Sequence, residues 1–245
     1  MTPAATEDRL LNGQVAVCQP RTGFRAGMDS VLLAASLPTN KTTRALDWGC
    51  GSGAALFCAA WRLPDVQFTG ADIDEPMLAL AERGRVANGF EKRIDLRAAD
   101  AGAPPDDFES AFDLVFSNPP FFEPGETTAP GEGKDAAFIS EIGLEAWIKA
   151  MLSAAKPKAP IVLIHRAAAL ARILASLEKR AGEIVVLPIR PEPGAEAKRV
   201  VVRARKGLRA GPCRLLDGLA LYETGGRTAS QRAAAALAGG ALDWA

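Results

Sequence analysis

The chain has a single histidine, His165, and four cysteines, Cys18, Cys50, Cys58 and Cys213, none of them spaced as CxxC. That inventory offers no recognisable zinc ligand set and no disulfide framework, so neither a metal nor a disulfide is expected. No apolar run approaches the roughly 20 residues of a membrane span. The start MTPAATEDRL lacks the basic-then-apolar layout of a secretory leader. A cytoplasmic protein with no membrane partner is the resulting expectation. Net charge is missing as well: 29 Lys+Arg stand against 29 Asp+Glu. What is present is 48% apolar residues in a chain of 245, ample for one packed core.

The zero net charge hides a division. Residues 1–140 hold 12 Lys+Arg against 20 Asp+Glu, and residues 141–245 hold 17 against 9. The densest basic stretch is KRVVVRARKGLR at 198–209, with six basic residues and no acidic one. Read as a strand, it puts Arg199, Arg203 and Arg205 on one face, and Lys198 and Lys206 lie in the same stretch. A solvated strand face and a phosphate-binding patch are both compatible with it.

Short continuous apolar runs at 43–49, 66–72, 93–100, 112–117, 160–165, 183–189 and 199–204 read as strands. Helical spacing at 53–62, 75–88, 141–156 and 167–181 falls between them. The pattern predicts an α/β fold, a doubly wound, mostly parallel seven-stranded sheet with helices on both faces. A single domain over 1–245 is expected, with 1–42 as an N-terminal extension and 226–245 as an Ala-rich C-terminal tail. In MDSVLLAASL, Asp29 is expected to cap a short helix, and Asp74 with Pro76 to start the helix at 75. The Gly-, Pro- and Thr-rich stretch 123–138 reads as a loop able to close over a substrate.

LDWGCGSG at 46–53 stands where the first of these strands gives way to a helix, and Gly49, Gly51 and Gly53 let the backbone approach a ligand. The spacing also fits a dinucleotide pattern through Gly49, Gly51 and Ala54, with Asp72 about 20 residues on as a ribose-binding acid. NAD is therefore one candidate. Asp47 favours another, because a carboxylate beside the loop suits the ammonium group of S-adenosylmethionine. Asp72 then accepts from the ribose hydroxyls, Ile73 lies against adenine, and Asp100 takes a hydrogen bond from the adenine amine or is an ordinary loop acid.

SNPPFF at 117–122 follows the fourth strand and faces the same crevice. The Asn118 side-chain oxygen and the Pro119 carbonyl together suit the two hydrogens of a planar amino group. As such a nitrogen gains positive charge during methylation, two acceptors aimed at its hydrogens stabilise the transition state more than the ground state. Phe121 is placed to stack on the base carrying the amine, with Phe122 behind it. His165, alone at a strand end, reads as structural.

These motifs resemble the class I S-adenosylmethionine-dependent N-methyltransferases with an NPPF/Y motif. GFRAGMDSVLLAA, NPPFFEPG and EAKRVVVRARKG extend the likeness to the bacterial tRNA1(Val) adenine-N6 methyltransferase family over about residues 20–225. The resemblance implies S-adenosylmethionine as cofactor, held by residues 47, 49, 51, 53, 72, 73 and 100. It implies Asn118, Pro119 and Phe121 at the acceptor and an RNA substrate, most simply tRNA, met by the basic strand. A monomer is expected. Family members often carry Tyr at position 121, where this chain has Phe. Guanine-N2 methylation of rRNA, glutamine-N5 methylation of a protein, an NAD-dependent oxidoreductase and a non-catalytic RNA-binding module stand as alternatives.

Overall fold

The computed structural model describes residues 5–22, 25, 27–39, 42–121, 142–209, 211–242 and 244. Phe122 and the stretch 123–138 lie outside them. The first described element is a hairpin of β1 (Ala5–Leu10) and β2 (Val15–Pro20). Its turn carries Asn12 and Gly13 at positive φ, the conformation that NG sequences adopt cheaply. Charged residues within ATEDRL mask this hairpin from a reading based on apolar runs. β2 is buried throughout, and Asn88 ties it down by accepting from the Ala16 amide at 2.9 Å and donating to its carbonyl at 2.7 Å.

The sheet is built from β3 (Arg44–Trp48), β4 (Gln67–Asp72), β5 (Ile94–Ala98), β6 (Leu114–Ser117), β7 (Pro160–Arg166), β8 (Ala181–Arg190) and β9 (Arg199–Lys206). Two short strands, β10 (Arg214–Leu215) and β11 (Leu219–Ala220), pair with β8 and bring the total to nine among the described residues. The order is β10-β8-β9-β7-β6-β3-β4-β5, with β9 antiparallel between β7 and β8. β3 to β7 run parallel. The central β3, β6 and β7 are buried almost throughout and read as apolar runs, whereas the edge strand β5 is largely half-buried or exposed and alternates apolar with charged residues. The chain reverses its direction of travel across the sheet between β3 and β6, and a ligand crevice forms at such a reversal.

One face is packed by α1 (Met28–Ala35), α2 (Ala54–Arg62), α3 (Glu75–Ala87) and α6 (Gln231–Leu237), the other by α4 (Leu144–Ala154) and α5 (Leu170–Leu177). Asp74 caps α3 as expected, accepting from the Met77 amide at 3.1 Å. The expectation for Asp29 fails. α1 starts after Gly27, so Asp29 already sits in the first turn, and its carboxylate takes Arg199 Nε at 2.8 Å instead. A cap residue must lie outside the helix, and the nearby guanidinium gives this carboxylate a stronger partner than a backbone amide.

The 226–245 region is more than a tail. The Leu242 amide donates to Ala35 O at 2.8 Å and the Trp244 indole donates to Ser36 O at 2.8 Å, while Arg62 Nε donates to Ala34 O at 3.1 Å. The first two satisfy carbonyls at and past the end of α1, and Arg62 adds a second donor to Ala34 O, which also accepts from the Leu37 amide. Trp244 is buried there, its ring beneath the Arg203 guanidinium at 4.6 Å. No helix among the described residues is long and apolar enough to cross a membrane.

Candidate active site

Asp47 and Asn118 reach the same cavity because their strands are neighbours in register. Asp47 of β3 lies opposite Phe116 of β6, and Asn118 follows two residues later, past the strand end. Asp47, Gly49, Gly51 and Asn118, with Ser30 of α1 and Met77 of α3, line a pocket of about 60 Å³. Asp47 is 1% exposed, and neither its Oδ2 nor Asn118 Oδ1 has a hydrogen-bond partner among the described residues. Two buried acceptors without donors are costly in a finished core and mark places where a ligand supplies the hydrogens. Burial first, and the Asp72 charge second, push the Asp47 carboxyl well above the usual carboxylate range. A cation against Oδ2 would reverse that shift.

The glycines divide by role. Gly49 has φ +76°, and a Cβ there would meet the Trp147 ring at 2.6 Å. Gly51 also has positive φ, +53°, yet a Cβ there would meet nothing within 4 Å. Gly49 thus serves packing, whereas Gly51 keeps an open approach for a ligand. The Gly51 amide donates to Asp72 Oδ2 at 2.7 Å and the Asp74 amide to Asp72 Oδ1 at 2.9 Å, fixing the carboxylate beside the loop. Each oxygen retains a lone pair for a hydroxyl. Gly53 is the left-handed residue ahead of α2. Ile73 is 68% exposed next to Asp72, an apolar shelf at the strand end. Asp100 is exposed past the end of β5 and accepts from the Gly102 amide at 2.7 Å in a turn of its own, outside the cavity.

Two residues of this site are assigned no role from the sequence alone. Ser117 Oγ donates to Trp48 O at 2.6 Å and accepts from Trp147 Nε1 at 3.0 Å. This latch joins the ends of β3 and β6 to α4, and Trp147 comes from a helix thirty residues downstream. The position of Ser117 just before NPPFF is the one hint to it.

At the acceptor side, Pro119 is buried and Phe121 is partly exposed. His165 is 2% exposed, packs edge-on to Phe121 with ring centroids 5.1 Å apart, and its Nε2 lies 3.4 Å from Pro120 O. Desolvation lowers its pKa to about 4, so the ring is neutral at pH 7 and serves as packing. Arg166 and Arg199 place their guanidinium carbons 5.3 and 4.8 Å from the Phe121 centroid.

The basic stretch does not act as one patch. β9 runs antiparallel to β7, so Lys198 and Arg199 stand at the rim of the site, while Arg205 lies opposite Pro160 at the far edge, about 20 Å away at strand rise. Lys198 lies 3.8 Å from Glu196, and Arg203 is spent on Trp244. Arg205 donates to Lys158 O at 2.8 Å and pairs with Glu183, and Lys206 donates to Ser110, Ser153 and Ala155. A larger cavity of about 850 Å³ lies between the β8–β9 connection and α6 and contains none of the residues expected from the sequence.

The pattern described as the methyltransferase small domain matches residues 25–131. The chain is 30% identical over 128 residues to the tRNA1(Val) (adenine(37)-N6)-methyltransferase of Erwinia tasmaniensis, covering 52% of each chain. It is 33% identical over 125 residues to the protein of that name from Yersinia pestis strain Pestoides F, covering 51% of this chain and 50% of that one. The chain thus spans about half the length of these curated relatives. Among solved structures, a predicted O-methyltransferase from Agrobacterium tumefaciens superposes with a TM-score of 0.73 at 27% identity, over 87% of this chain and 98% of that one. The tRNA (m1A58) methyltransferase of Aquifex aeolicus shares the fold, with a TM-score of 0.54 at 18% identity over 78% of this chain and 73% of that one. These likenesses favour a methyltransferase over the oxidoreductase alternative, which rested on the glycine spacing and Asp72. The chain thus has the α/β fold of the class I methyltransferases it superposes on, matches the methyltransferase small domain over residues 25–131, and sets a donor-seeking carboxylate at its glycine loop.

Proposed function

We propose that the protein methylates the exocyclic N6 of an adenine in tRNA, beside the anticodon, acting as a monomer in the cytoplasm. One observation carries this reading: the unpartnered oxygens of Asp47 and Asn118 open into the same small cavity beside Gly51. Asp47 would hold the ammonium end of S-adenosylmethionine, Asp72 its ribose, and Ile73 its adenine, with Asp100 at the edge. When bound, the cofactor supplies a methyl group activated by a sulfonium.

The chain's own contribution is to orient the acceptor. Asn118 Oδ1 and the Pro119 carbonyl accept the two hydrogens of the amino group and hold its nitrogen toward the cavity. As that nitrogen gains positive charge, both acceptors bind it more strongly, which lowers the barrier without a strong base. Among the described residues the lining of the cavity contains no histidine or lysine, and His165 is occupied with Pro120. This favours an amine over a hydroxyl acceptor, which needs its proton removed. Phe121 offers a ring at the acceptor mouth for the base, and Lys198 and Arg199 are the members of the basic stretch at that rim.

The names of the sequence relatives support tRNA adenine as the substrate. The test is incubation with radiolabelled methyl donor and total RNA from a strain lacking the gene, followed by nucleoside mass analysis. Label in N6-methyladenosine from tRNA is expected. Label confined to methylguanosine, or to protein, would overturn the assignment.

A further inference from the structure

Ser30 stands in the first turn of α1 and is 3% exposed. Other buried serines of this fold turn back onto a helical carbonyl: Ser36 Oγ donates to Leu32 O at 2.7 Å, and Ser176 Oγ to Arg172 O at 2.8 Å. Ser30 comes too early for that, because the carbonyl four residues back precedes the helix. Its hydroxyl makes no hydrogen bond with another described residue, and the residue lines the cavity of about 60 Å³ that also holds Asp47 and Asn118. That volume is about two water molecules' share, room for a compact head group and not for a nucleoside.

The lining sorts by what it can offer. Asp47 Oδ2 and Asn118 Oδ1 are buried acceptors that lack partners. The donors are the hydroxyls of Ser30 and Ser52 and, at the start of α2, the amides of Ala54 and Ala55, which meet no acceptor among the described residues. No lysine, arginine or histidine is among the described lining residues. A zwitterionic head group suits such a wall, with its cation on the carboxylate and its anion on neutral donors beside a helix start.

We propose that Ser30 is a specificity residue for the methyl donor: its hydroxyl, with the Ala54 and Ala55 amides, receives the carboxylate of S-adenosylmethionine while Asp47 receives the ammonium. The proposal rests on the cofactor reading above and deepens it, since Asp47, Asp72 and Ile73 leave that carboxylate without a partner. A hydroxyl suits the position better than a cation. Lysine or arginine in so small a space would pair with Asp47 and close the site to the ammonium. The first turn of α1 is held by Asp29, whose Oδ2 accepts from Arg199 Nε at 2.8 Å, so the place of the hydroxyl is set by the fold.

Titration calorimetry tests this without RNA or turnover, using S-adenosylmethionine and decarboxylated S-adenosylmethionine, which keeps the ammonium and lacks the carboxylate. Ser30→Ala should weaken binding of the full cofactor roughly tenfold or more, the scale of losing a hydrogen bond to a charged group, and leave the decarboxylated form within about twofold of wild type. Asp47→Asn should weaken both forms, because both carry the ammonium. Alanine is the better helix former, so Ser30→Ala is expected to stay folded, with thermal unfolding as the check. A merely structural role for Ser30 would weaken the two forms alike. Equal losses in Ser30→Ala, or no loss for the full cofactor, therefore overturn the assignment of Ser30 while the cofactor reading stands. Failure of the wild type to bind either form overturns the cofactor reading and the role of Ser30 with it.

Discussion

Asn118 and His165 illustrate opposite uses of a buried polar side chain. Asn118 Oδ1 lacks a partner at the mouth of a cavity and gains one when an amine enters. Replacing Asn118 with Ala should cut kcat by about 10²- to 10³-fold, the scale of losing one preorganised transition-state contact, with cofactor affinity within a few fold of wild type. Single-turnover methyl transfer and calorimetry of cofactor binding measure the two, and full activity would sink the mechanism. His165 instead stays neutral by burial, with a pKa near 4 against 6.5 in the unfolded chain. Between pH 6.5 and 4 the unfolded state binds the proton that the folded state refuses, so folded stability falls as pH drops through that window and levels off below it. The loss amounts to about 3 kcal/mol. His165→Phe keeps the packing on Phe121 and should remove this component, seen as a smaller difference between urea midpoints at pH 7 and pH 4.5. Identical pH dependence in variant and wild type would refute it.

The elements that converge on the site are fixed by short-range devices at their ends. The β3–α2 turn is shaped by Gly49 against Trp147 and by Gly51 over empty space. Gly51→Ala should therefore cost about 1 kcal/mol in stability for the left-handed backbone, while its methyl group blocks the approach. A tenfold or larger loss of S-adenosylmethionine affinity is expected in a variant whose circular dichroism is unchanged. Undiminished affinity would remove Gly51 from the cofactor site. The end of β6 is held by Ser117, bonded to Trp48 O on one side and Trp147 on the other. At the opposite edge Asp113 ties β6 to β3, accepting from Thr43 Oγ1 at 2.6 Å, the Arg44 amide at 3.0 Å and Lys156 Nζ at 2.7 Å. With both strands pinned at both ends, the distance between Asp47 and Asn118 is set by the sheet rather than by loop motion.

Across the whole molecule, the C-terminal residues close the face that α1 and α2 begin. Trp244→Ala removes a buried indole, its hydrogen bond to Ser36 O and its contact with Arg203, and should cost about 3 kcal/mol by thermal unfolding. By the same geometry Arg203→Ala should leave the salt slope of RNA binding unchanged; a fall in that slope would return Arg203 to the RNA surface. The seven principal strands, five of the helices, the glycine loop and SNPPFF were legible in the sequence because each is a local pattern: an apolar run, a period, a positive-φ glycine, a pair of prolines. The hairpin before α1 was not, since its charged first strand imitates a loop. Nor was the fate of the basic stretch, where neighbouring cations of one pattern meet different partners. Composition and spacing by themselves determined the α/β sheet and the chemistry available at its rim, because those follow from the chain's own periodicity and residue types. Only the tertiary structure decided which charges meet the acceptor, because antiparallel insertion of β9 beside β7 brings Arg199 to the site and carries Arg205 away from it.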